Sequence, residues 1–137
     1  MAYYLERPGE EIFRVGLSQW PAFVNLAKAY NWKSKGTTLP ESARVPDMDW
    51  SGTYLSMDHA IVDAEDANNM ADAIERALVH WPREDQFKTT ELSVKTNLWS
   101  PPNSYQKSAI QYFLERSDER RLEDMIVYLR QGTFELC

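Results

Sequence analysis

The residues best placed to do chemistry lie between 47 and 59. Asp47-Met48-Asp49-Trp50-Ser51-Gly52, continued to Asp58, sets oxygen donors at loop positions 1, 3, 5 and 12 with glycine at 6. A calcium loop surrounds a hard cation with this spacing, its glycine permitting the sharp turn. The match is incomplete. Pro46 directly precedes the loop and blocks an entering helix, Tyr54 replaces a small aliphatic, and Asp58 replaces the bidentate glutamate. Asp47, Asp49, Ser51 and Asp58 are the candidate ligands of a divalent metal. The simpler reading is a Trp50-anchored turn with solvated aspartates, and no cofactor is implied.

Asp58 adjoins His59, with Ser56 close behind, so the trio invites a hydrolase reading. Neighbours so close along the chain rarely meet in triad geometry, and no nucleophile-elbow glycines flank Ser56. His80 falls in the last turn of a helix, where an imidazolium complements the dipole. Two histidines without HExxH-like spacing argue against a zinc enzyme, and the single cysteine, Cys137, argues against a disulfide framework. Cys137 reads as an ordinary docked or free thiol.

Charge gives a second kind of signal. The chain has 137 residues, 15 Lys+Arg and 21 Asp+Glu, a net of −6. Residues 41–91 carry twelve acidic and four basic side chains, so the whole negative excess sits in that third. Such a field repels phosphate backbones and excludes nucleic acid as the expected partner. It attracts basic protein surfaces and speeds their encounter. Trp50 and Tyr54 stand among Asp47, Asp49 and Asp58, and large amphipathic rings are favoured anchors at interfaces. Asp47, Asp49, Trp50, Tyr54, Asp58 and His59 are therefore the candidate partner-binding set.

The elements that must position these residues follow from periodicity. Pro8-Gly9 suits a type II turn between strands over Tyr3–Arg7 and Ile12–Val15. Ser18 is a candidate helix N-cap, and Trp20, Phe23, Val24, Ala27 and Tyr30 recur at helical spacing over 19–31. Trp50–Val62 reads as a second small hairpin around Ser56–His59. Asp63 caps the clearest helix, whose apolar stripe runs from Ala67 through Ile74 to Trp81 before Pro82 stops it. Leu92, Val94 and Leu98 allow a strand. A helix containing Tyr105, Ala109 and Phe113 follows Pro101-Pro102. Ser117 is the candidate cap of a final helix with Leu122, Met125, Ile126 and Leu129 inward, Gly132 closes it, and the tail Thr133–Cys137 docks as a short strand.

Three stretches together carry a resemblance. They are Trp20-Pro21-Ala22-Phe23-Val24-Asn25-Leu26-Ala27 with Trp32 and Gly36-Thr37; Trp50-Ser51-Gly52-Thr53-Tyr54-Leu55-Ser56-Met57-Asp58; and Asp66-Ala67 through Ala71-Asp72-Ala73-Ile74-Glu75-Arg76-Ala77-Leu78. In order and spacing the chain resembles a group of small bacterial proteins of no known activity. There a tryptophan-containing YFSNDGQ-V segment precedes a helix reading like DA-xx-LADALERAL. The chain departs from the group at Ser56-Met57-Asp58-His59-Ala60. The resemblance implies a bacterial origin and transfers no catalytic residue.

We read the chain as one α+β domain over 1–137, three or four helices with a few short antiparallel strands, soluble and cytoplasmic, with no membrane association. The expected function is non-catalytic binding of a protein with a basic surface, of the immunity or inhibitor type. Two other readings stand beside it: a small enzyme or ligand-binding protein using Asp58 and His59, and a divalent-metal-binding structural protein.

Overall fold

A computed structural model describes residues 2–40, 52–56, 59–81 and 102–137. Among them are four strands, β1 (Ala2–Glu6), β2 (Phe13–Gly16), β3 (Ala60–Val62) and β4 (Phe134–Leu136). The four helices are α1 (Gln19–Ala29), α2 (Ala64–Val79), α3 (Ser104–Glu115) and α4 (Glu119–Leu129). The architecture is α+β, with the strands in one antiparallel sheet of order β2-β1-β4-β3.

Local chemistry accounts for most of the boundaries. Gly9 takes φ +78°, a conformation glycine adopts without steric cost, and the turn it makes returns β2 onto β1 with Tyr3 opposite Val15. Asp63 caps α2, its carboxylate accepting from the Asp66 N–H at 2.8 Å. Asn103 and Gln106 cap α3 reciprocally, each side chain bonding the other's backbone N–H. Gly132 at φ +114° turns the chain from α4 into β4.

Burial follows the two periodicities. Leu5, Val15, Ala60, Val62, Phe134 and Leu136 face inward from the sheet. Helix α1 packs on α2 and α3, and α2 packs on α4. Trp20, Phe23, Phe113 and Met125 are fully buried between these layers. The Trp20 indole crosses the Phe134 ring edge-on, joining the first helix to the last strand.

Three expectations change. The segment ending at Val62 makes no local hairpin with residues 52–56; β3 instead pairs antiparallel with β4, Val62 opposite Phe134. A distant strand therefore satisfies hydrogen bonds that sequence proximity had assigned locally. Ser18 precedes α1 but makes no side-chain cap; its hydroxyl meets the Tyr112 hydroxyl at 3.0 Å. Ser117 adopts φ +54°, and Asp118 is the residue that leads into α4. The strand expected around Leu92–Leu98 lies outside the described residues.

Candidate functional site

The chemistry of the molecule converges first on Asp66. Its place in the first turn of α2 suggests a solvated acid at the helix's positive end, yet the residue is fully buried. Three donors surround the carboxylate: the Trp32 indole N–H at 3.1 Å, the Lys35 backbone N–H at 3.1 Å, and the Tyr54 hydroxyl. A carboxylate only accepts, so these donors supply what water would otherwise give it. Tyr54 in turn accepts from the Gly36 N–H at 2.7 Å. Burial first, then the Asp66 carboxylate, push the Tyr54 phenol far above its ordinary pKa. The arrangement ties α2, the exit from α1 and residues 52–56 into one unit.

Glycine permits the closest approach in that unit. Gly52 has φ +75°, and a Cβ there would lie 3.3 Å from the Gly36 Cα. The Thr37 N–H donates to the Gly52 carbonyl at 3.1 Å, and the Thr37 hydroxyl to the Thr53 carbonyl at 2.6 Å. The glycine that sits at position 6 of the calcium-like pattern thus packs two backbones together. Beside them a cleft of about 410 Å³ opens between α1 and residues 34–36 and 52–55. Lys28 and Lys35 are on its walls, and Lys35 is already held by Asp63 at 2.8 Å and Glu65 at 3.2 Å.

The other described acids of the acidic third are also partnered. Arg130, just beyond α4, reaches Asp72 at 2.7 Å and Glu75 at 3.0 Å. Asp63, Glu65, Asp72 and Glu75 remain about half exposed or more, so each cation shares two carboxylates at the surface. Exposed pairs of this kind contribute only about 0–1 kcal/mol each. Their main consequence is to halve the local charge, two cations offsetting two of the four carboxylates. Of the twelve acids between 41 and 91, these four and Asp66 are described; the other seven, with Arg44, Arg83 and Lys88, carry a surplus of −4 in the sequence.

A further group forms across β1, β4 and β3. Glu6 from β1, His59 just before β3 and Cys137 just after β4 bring a carboxylate oxygen, an imidazole nitrogen and the thiol within 4.8 Å of one another. The Cys137 Sγ lies 3.2 Å from His59 Nδ1. Burial, then the thiol's hydrogen bond to Glu6 and the charges of Glu6 and Glu135, push Cys137 up to about 12. A thiol–imidazole pair has the geometry of a nucleophile and its base, but this thiol keeps its proton at neutral pH. Burial is the main reason, and the carboxylates beside the thiol add to it.

The sequence-derived candidates separate accordingly. Tyr54 is buried against Asp66 and is not an exposed aromatic anchor. His59 is exposed at φ +60°, directed at Cys137. Asp47, Asp49, Trp50, Ser51 and Asp58 lie outside the described residues, so the calcium-like loop and the Asp58/His59 pairing do too. Trp20, Trp32 and Trp81 belong to the core. His80 caps the end of α2 as expected, its Nδ1 meeting the Tyr30 hydroxyl at 2.5 Å. Sequence reasoning missed the roles of Asp66, Glu6 and Cys137; a short polar residue inside an otherwise apolar helical face was the available signal for Asp66. No protein-family model matches the chain, and neither a curated protein nor a solved structure shows significant similarity to it.

Proposed function

We propose that the chain is a non-catalytic binding module whose partner is a protein with a basic surface. The supporting observation is the division of charge within residues 41–91. Lys35 and Arg130 offset two of the four carboxylates displayed by α2 and its cap, so the larger surplus, −4, belongs to the stretches at 41–51, 57–58 and 82–91. Two of these stretches adjoin residues fixed in the core, Tyr54 on one side and Trp81 on the other. The residues proposed to meet the partner are accordingly Asp47, Asp49, Trp50 and Asp58, and not the buried Tyr54. Opposite charge across such a surface raises the association rate and excludes acidic competitors. An immunity or inhibitor protein that neutralises a basic enzyme is the most concrete form of this activity, and a bacterial cytoplasm is its setting.

The experiment is capture on the immobilised chain at low salt, followed by elution with rising salt. The expected result is a protein of basic isoelectric point, retained by wild type and lost with Asp47→Lys/Asp49→Lys. Equal retention by that double variant, or capture only of acidic proteins, contradicts the proposal.

A further inference from the structure

We propose that Glu6, His59 and Cys137 form a binding site for one zinc-like divalent cation, independent of the protein-binding surface. The three ligands come from three elements. Glu6 on β1 pairs with Glu135, two residues before Cys137 and therefore on the same side of β4. Ala60 pairs with Leu136 on the inner face, which places His59 and Cys137 at the next rung. Pairing of β1, β4 and β3 therefore assembles the group, although no spacing in the sequence announces it.

The donor set has the right chemistry. A thiolate, an imidazole and a carboxylate are the usual ligands of zinc, and three of them leave one position for water. Around a tetrahedral zinc a sulfur and a nitrogen ligand stand about 3.5 Å apart. The observed Cys137 Sγ to His59 Nδ1 separation is 3.2 Å, so those two ligands are already spaced for coordination. Glu6 is half-buried with its carboxylate within 4.8 Å of both, a gap a flexible side chain can close. His59 is exposed, which leaves an entry path.

Electrostatics point the same way. Glu6 and Glu135 place two carboxylates on the same side of the sheet as the thiol. The same negative field favours a cation, and a bound dication displaces the thiol proton outright. His59 also keeps φ +60° in the left-handed region, uncommon for a residue with a side chain and concentrated where a side chain must be aimed.

The test uses the tag-free full chain and ZnCl₂ in titration calorimetry, repeated in two buffers of different ionisation enthalpy. One Zn²⁺ per chain is expected, with release of about one proton from the thiol. Cys137→Ser and His59→Ala should each weaken binding at least tenfold, whereas His80→Ala should leave it unchanged. Circular dichroism checks that the variants fold. In wild type, Zn²⁺ should slow alkylation of Cys137, and Co²⁺ should give a thiolate charge-transfer band. Absence of Zn²⁺ binding to wild type overturns the proposal. So does binding that survives in folded Cys137→Ser and His59→Ala, or that leaves Cys137 as reactive as before. These readouts do not involve the basic partner, so either proposal can fail without the other.

Discussion

The indole N–H of Trp32 donates to the Asp66 carboxylate at 3.1 Å, with both side chains buried. This contact joins the end of the first helix to the start of the second. The buried acid fixes the chain on either side of the acidic segment, using neutral donors rather than a side-chain cation.

Replacing Asp66 should therefore destabilise the whole fold. Asp66→Ala leaves the Trp32 indole, the Lys35 backbone N–H and the Tyr54 hydroxyl without their acceptor, and a loss of about 3 kcal/mol or more is expected. Denaturant unfolding measures it. A loss under about 1 kcal/mol would mean that solvent reaches the site.

Tyr54→Phe isolates a smaller part of the same network. Removal of the hydroxyl takes a donor from Asp66 and an acceptor from the Gly36 N–H, a cost of about 1–3 kcal/mol. The Tyr105 hydroxyl also makes a hydrogen bond, to Asn25 at 2.6 Å, but in an exposed position. Tyr105→Phe should cost clearly less, within about 0.5 kcal/mol. Equal effects in the two variants would contradict the burial argument.

Gly52→Ala tests the backbone contact with Gly36. The new Cβ meets the Gly36 Cα at 3.3 Å, at a φ of +75° that already disfavours alanine. Destabilisation of about 1–2 kcal/mol is expected from the left-handed backbone alone. Gly9→Ala also has positive φ but meets nothing within 4 Å, so it should lower the melting temperature less.

Alkali should unfold the protein through its phenols. Burial raises Tyr30 to about 12 and Tyr128 to about 12, and raises Tyr54 further. An acid whose folded pKa is raised contributes stability below its unfolded value near 10. That contribution is lost as pH climbs from about 10 towards the folded values. Spectrophotometric titration should show the buried phenols of Tyr30, Tyr54 and Tyr128 appearing together as the fold is lost. Smooth ionisation of all seven tyrosines near pH 10 contradicts this.

Asp63 gives the opposite pH dependence. Its hydrogen bonds to Lys35 and to the Asp66 N–H hold its carboxyl below the usual range. Its stabilisation is complete above an unfolded pKa near 3.9 and fades as pH falls through the lower folded value. Asp63→Ala should cost about 1 kcal/mol at neutral pH, the usual worth of an N-cap, with the gap to wild type narrowing in acid. A pH-independent difference would show that the carboxylate charge is not involved.

Elements whose signals are local were legible from the sequence. Pro8-Gly9, the Asp63 cap, the apolar stripe from Ala67 to Trp81 and the Gly132 stop each depend on a few consecutive residues, and each stands where the periodicity placed it. Pairing of β3 with β4 was hidden, because Val62 and Phe134 lie far apart along the chain, with α2, α3 and α4 between them. Asp66 was misjudged for the same reason: two of its donors come from Trp32 and Tyr54, which no helical period relates to it. Glu6, His59 and Cys137 meet only through sheet register.

The binding role is tested most directly by a photoreactive side chain at position 50. Full-length protein carrying Trp50→p-benzoylphenylalanine is irradiated in extract at low salt, and the crosslinked peptides are sequenced. Crosslinks into one protein, at a surface rich in lysine and arginine and lost in high salt, are predicted. Scattered adducts, or one partner joined equally well in high salt through an uncharged surface, would contradict the account.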